Sequence, residues 1–92
     1  MGEQSVLRTV IIGPESGGLH LVPCSRLVKL ANSFACSVSI RKGTVHADGK
    51  NILDLMVLSA GPGEQLDLVT SGEGAEEAMI KLVQLFESNF GE

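Results

Sequence analysis

Apolar positions run or alternate in four short stretches of this chain and recur at helical spacing in three others. Val6 to Ile12 is rich in β-branched residues and stops at Gly13-Pro14, which predicts a first strand. Cys24, Leu27, Ala31 and Phe34 fall at i, i+3, i+7 and i+10, one face of a helix over Val22–Ser33. Ser25, Arg26, Lys29 and Asn32 fall largely on its other side. Pro23 suits the first turn, where an N–H has no helical partner. Cys36, Val38 and Ile40 alternate with Ser37, Ser39 and Arg41, a half-buried second strand. Lys42-Gly43 predicts a tight turn, Thr44 to Ala47 a short returning strand, and Asp48-Gly49 another turn. Asn51 is a good N-cap for a short helix through Leu58, stopped by Ala60-Gly61-Pro62-Gly63. Leu66, Leu68 and Thr70 alternate with Gln65, Asp67 and Val69, a fourth strand. After Ser71-Gly72-Glu73-Gly74 comes a last helix, with Glu76 and Glu77 where the helix dipole favours acids. Its buried stripe is Ala78, Leu82, Leu85 and Phe86, with Met79 and Val83 beside it.

The order is β-α-β-β-α-β-α. The short link between the second and third strands demands antiparallel pairing. One sheet covered on a single face is the economical packing for so small a core. The fold class is therefore α+β, an open-faced β-sandwich: a four-stranded antiparallel sheet with three helices on one face. The pattern alone leaves the strand order open.

Length and composition narrow the function. Ninety-two residues make one domain, 1–92, and 43% hydrophobic with 20% charged residues is ordinary for a globular chain. A net charge of -4, three Phe and no Trp or Tyr argue against a nucleic-acid partner. No signal-peptide pattern and no membrane-length apolar run occur, so the expected compartment is the cytoplasm, without membrane insertion. Cys24 and Cys36 fit neither a zinc site nor a redox pair, and no metal or cofactor is expected. Cys24 sits at a helix start, a place that can lower a thiol pKa. A small packed residue is the preferred reading of it.

The segment Gly17-Gly18-Leu19-His20-Leu21-Val22-Pro23-Cys24 carries the chemistry. It puts His20 where a glycine loop feeds a helix. First-turn amides lack internal partners and the dipole is positive there, so an anion is stabilised. Imidazole is a good nucleophile near neutral pH, so a histidine at this place can carry a phosphoryl group on a ring nitrogen. His46 has no acidic or cysteine cluster near it in sequence and reads as exposed and inert.

The same segment resembles the Gly-Leu-His-x-Arg-Pro-Ala signature of HPr, the phosphocarrier of the bacterial phosphotransferase system. Gly18, Leu19, His20 and Pro23 match; Val22 stands for the family's arginine and Cys24 for its alanine. Leu27 to Phe34 resembles the rest of the family's first helix, and Lys50 to Met56 its second. Glu76 to Phe90 is similar to the third helix of the nitrogen-related branch, NPr. The resemblance implies a histidine phosphocarrier, with no small-molecule turnover of its own. It would accept a phosphoryl group on His20, at Nδ1, from an enzyme I-like donor and pass it to an enzyme II A-type acceptor protein. Leu21, Val22 and Cys24, through backbone amides, and Arg26, folding back by one turn, are the candidates for holding phosphate. Arg26 also reads as a solvated surface residue. Ile52, Leu53 and Met56 are the expected partner-docking patch, on a monomer. Asn51 replaces a regulatory serine found in many relatives and has no hydroxyl to phosphorylate. The alternative is a degenerate HPr-like regulatory module that binds partners without carrying phosphate efficiently.

Overall fold

The computed structural model describes residues 4–14 and 17–91. Its elements are β1 (Ser5–Ile11), α1 (Leu21–Asn32), β2 (Ser37–Lys42), β3 (Val45–Asp48), α2 (Ile52–Val57), β4 (Gln65–Ser71) and α3 (Ala75–Glu87). A single 3-10 turn, Asn89–Gly91, follows α3.

All strand pairs are antiparallel, in the order β1-β4-β2-β3. β4 is central: Leu68 lies opposite Arg8 of β1 on one side and Ile40 of β2 on the other. Side chains alternate across a sheet, so Val10, Val38, Ile40, Ala47, Leu66 and Leu68 share the covered face. Leu27 and Ala31 of α1, Leu55 of α2, and Ala78, Met79, Leu82 and Phe86 of α3 close over them. The three helices thus cover one face of a four-stranded antiparallel sheet, the open-faced arrangement expected from the pattern. Thr70 takes an otherwise apolar position and is fully buried, its hydroxyl donating to the Ala75 carbonyl at 2.7 Å. That bond ties β4 to the first turn of α3 and satisfies a group that burial would otherwise penalise.

Element ends shift by a residue or two from the expected ones. The hairpin turn is Gly43-Thr44 rather than Lys42-Gly43, because Lys42 pairs with Val45. Gly43 has φ +60°, as the first central position of a type II′ turn requires. Leu85 is only half-buried, and Ala75 completes the α3 stripe instead. The 3-10 turn was not expected from the pattern: α3 ends at Glu87 and Phe90 folds back into the core.

Asn51 caps α2 as expected: its Oδ1 accepts the amides of Leu53 at 3.0 Å and Asp54 at 3.1 Å. A helix of six residues has few internal bonds to compensate for a lost cap. Asn51→Ala is expected to destabilise the protein by about 1 kcal/mol. Thermal unfolding should show a midpoint lowered by about 4–8 °C.

Candidate functional site

The loop between β1 and α1 is built against a second loop, 59–64. Ile12 is buried and bonds that loop twice, its amide to the Glu64 carbonyl at 2.9 Å and its carbonyl from the Gly63 amide at 2.8 Å. Gly18, at φ +81°, presses on it so closely that a Cβ there would stand 2.8 Å from the Ala60 carbonyl oxygen. The Leu19 amide donates to that same oxygen at 2.8 Å. Lys42 holds the far side, with Nζ 3.3 Å from a Glu64 carboxylate oxygen and 3.3 Å from the Ser59 carbonyl oxygen. In the sequence, 60–63 reads only as a helix stop. Its role as the shelf beneath the histidine loop follows from contacts between residues some forty positions apart.

Ser59 sits on this shelf at φ +51°, a left-handed conformation that favours glycine. Its side chain is exposed. Relief of the strain outweighs the added freedom of the unfolded chain, so Ser59→Gly is expected to stabilise the protein by about 0.5–1 kcal/mol. Chemical denaturation should register this as a higher midpoint with an unchanged slope.

His20 is the N-cap of α1 and is exposed. Its amide closes a tight turn onto the Gly18 carbonyl at 3.0 Å, and its carbonyl accepts the Cys24 amide at 3.0 Å, the first bond of the helix. Its side chain makes no capping hydrogen bond. The ring lies over Gly17: a Cβ there would meet Cδ2 at 3.0 Å and Nε2 at 3.1 Å. The Nδ1 edge is therefore turned away from Gly17. Leu21 and Val22 open the helix, so their amides precede any intrahelical acceptor, and Pro23 has no N–H. A ring nitrogen and two backbone donors thus share the positive end of a twelve-residue helix.

The family-model comparison matches residues 7–88 to "PTS HPr component phosphorylation site". The chain belongs to the HPr family. It is 40% identical over 76 residues to the phosphocarrier protein HPr of Pseudomonas putida, covering 82% of this chain and 84% of that protein. Phosphocarrier protein NPr of Proteus mirabilis is 32% identical over 76 residues, with the same coverage of both. Among solved structures, HPr of Thermoanaerobacter tengcongensis superposes with a TM-score of 0.90 at 32% identity, over 95% of this chain and 97% of that one.

Against the HPr signature, the two atypical positions behave differently. Val22 is exposed (41%), so the missing arginine leaves no charge and no filled pocket at that point. Cys24 is fully buried and fills the alanine position as a packed residue, its Sγ 3.6 Å from the Leu19 carbonyl oxygen. Burial pushes its thiol pKa up. With the amide also used inside the helix, Cys24 has no group left facing the histidine end.

Arg26 is exposed, yet its guanidinium is not adrift: Nη1 donates to the carbonyl of Phe90 in the 3-10 turn. Ile52 is half-buried against the core, whereas Leu53 (71% exposed) and Met56 (41%) are open to solvent. Leu21 (58%) and Val57 (73%) are also exposed. Val57 lies one turn after Leu53, and that spacing was the signal available for finding it. His46 is exposed on β3. No helix among the described residues is long and apolar enough to cross a membrane.

Proposed function

We propose that this HPr-family protein is a histidine phosphocarrier acting through His20. Nδ1 attacks the phosphorus of a phosphorylated enzyme I-like donor. A P–N bond forms to His20 as the donor's bond to phosphorus breaks, its electron pair staying with the donor. The second transfer runs the same exchange toward an enzyme II A-type acceptor. The amides of Leu21 and Val22, which precede any helical acceptor, would serve as donors to the phosphoryl oxygens, the kind of fixed donor that stabilises transferring phosphate. Cys24, proposed from sequence alone, is not in this set. The observation that carries the reading is the geometry of His20: an exposed imidazole at a helix N-cap, its Nδ1 edge clear of Gly17, beside two amides without helical acceptors.

Leu53, Met56 and Val57 on α2, with Leu21 and Val22 on α1, are exposed apolar side chains and would serve as the docking surface. Such side chains repack easily against more than one partner, which suits a protein that must meet both a donor and an acceptor. The protein would act as a monomer in the cytoplasm, without a cofactor.

The test is labelling with phosphoenolpyruvate and an enzyme I, beside a control carrier. Acid-labile phosphate on the wild-type protein, mapped to His20, is the expected result. An unlabelled protein under conditions that label the control would leave the module that binds partners without carrying phosphate.

A further inference from the structure

The arginine missing at position 22 poses a physical question. A phosphoryl group brings nearly two negative charges to a helix end that offers two amides and no charged side chain in its first turn. The chain has seven Lys and Arg residues, and most are placed elsewhere. Arg8 bonds the Leu7 carbonyl on β1, Lys42 pairs with Glu64, and Lys50 bonds the Phe34 carbonyl. Arg41 lies on β2 and Lys81 on α3, while Lys29 lies in the last turn of α1. Arg26 alone lies within the first two turns of α1.

Three features single out Arg26. It follows Val22 by four residues, hence on the same helix face and about 6 Å further along the axis. Helical side chains lean toward the N-terminus, so a long one at 26 covers the surface over position 22. Its acceptor is a neutral carbonyl, which orients a guanidinium without cancelling its charge; among the described residues no carboxylate pairs with it. That bond to Phe90 uses one of the guanidinium's five N–H donors.

The acceptor lies in a strained turn. Asn89 and Phe90 have φ of +54° and +58°, a left-handed conformation that costs ordinary residues energy, and Gly91 follows at +78°. Burial sustains it: Phe90 is 1% exposed and its ring meets Phe86 edge-on, centroids 4.8 Å apart. The turn also borders the other side of the site. A Cβ on Gly13, in the loop that leads to His20, would stand 3.4 Å from Asn89 Oδ1. The 89–91 turn is thus wedged between that loop and the second turn of α1.

We propose that Arg26, aimed by the Phe90 carbonyl, supplies the phosphate-facing charge that Val22 does not. The proposal rests on the carrier reading for its biological use, but its anion chemistry can be measured separately. Inorganic phosphate is the probe, and the Leu21 and Val22 amide resonances are the reporters. For the wild type, both amides are expected to shift saturably. Arg26→Ala should weaken that binding about tenfold, the scale of one charge-assisted contact, and slow phosphotransfer comparably. Val22→Arg in the Arg26→Ala background should restore both, because position 22 is exposed and the new guanidinium reaches the same space. Val22→Arg in the wild-type background should gain little, which separates replacement of Arg26 from an independent new contact. Gly91→Ala tests the aiming: the added methyl would stand 3.0 Å from Nη1 and should weaken phosphate binding while leaving α1 intact.

Equal phosphate affinity in wild type and Arg26→Ala, or none in either, overturns the proposal. So does failure of Val22→Arg to rescue a folded Arg26→Ala protein. Unchanged binding in Gly91→Ala overturns the aiming by the turn. A wild-type protein that binds phosphate through Arg26 but takes no label from enzyme I would sink the carrier reading and leave this one standing.

Discussion

His20→Asn is expected to abolish phosphotransfer and to leave the protein more stable than the wild type. The imidazole is exposed, so its removal opens no cavity. It occupies the N-cap of α1 without making a side-chain cap bond, although the Leu21 and Val22 amides stand beside it. Asparagine is among the best N-cap residues because its side-chain oxygen accepts the N2 or N3 amide, here that of Val22, since Pro23 has none. The substitution should therefore stabilise by about 0.5–1 kcal/mol. A rise of several degrees in the unfolding midpoint, with no acid-labile phosphate after incubation with donor, is the paired outcome. Loss of stability would mean that the ring has packing partners beyond Gly17. A stability gain with loss of activity is the pattern of a residue kept for chemistry at some expense to the fold.

Gly18→Ala is expected to have the largest effect on folding of any single-methyl change near the site. The backbone there is at φ +81°, which strains any residue with a Cβ. The methyl would also stand 2.8 Å from the Ala60 carbonyl oxygen and 3.1 Å from the Gly61 Cα. Both are backbone atoms, so no rotamer change relieves the overlap. If the 59–64 shelf withdraws, Leu19 loses its amide bond to Ala60. Strain and the lost bond together should cost about 3 kcal/mol. That corresponds to a midpoint lowered by more than about 10 °C. Phosphotransfer should fall about 100-fold as the histidine leaves its position. Gly17→Ala is the contrast: its φ is ordinary and, among the described residues, its methyl would meet only the His20 ring, so stability should stay within about 0.5 kcal/mol. Similar stability losses in both variants would show that the shelf contact is not what makes Gly18 special.

Much of the fold could be read along the chain because each signal was local. The alternation of Val38 and Ile40 with Ser39 and Arg41 placed β2, and burial follows it residue by residue. The Asn51 cap was readable because its acceptor and donors lie within three residues. His20 stood out for the same reason: glycine loop, histidine and first helical turn are contiguous.

What escaped the sequence was set by residues far apart in it. The order β1-β4-β2-β3 is set by the assembled sheet, since alternation gives each strand a face but not a neighbour. The 59–64 shelf depends on Ile12, Gly18 and Leu19 meeting a loop that composition marks only as a break. Cys24 had a reactive and a packed reading, and full burial decided it. The 3-10 turn runs against propensity, because Asn89 and Phe90 adopt left-handed backbone only where the buried Phe90 ring repays it. Arg26 meets its acceptor across 64 residues. The sequence by itself determined the elements, their buried faces and the candidate histidine, because helix periodicity, strand alternation and capping are short-range. Tertiary structure alone decided which loop supports that histidine and where Arg26 is held, because those contacts exist only after the chain has closed on itself.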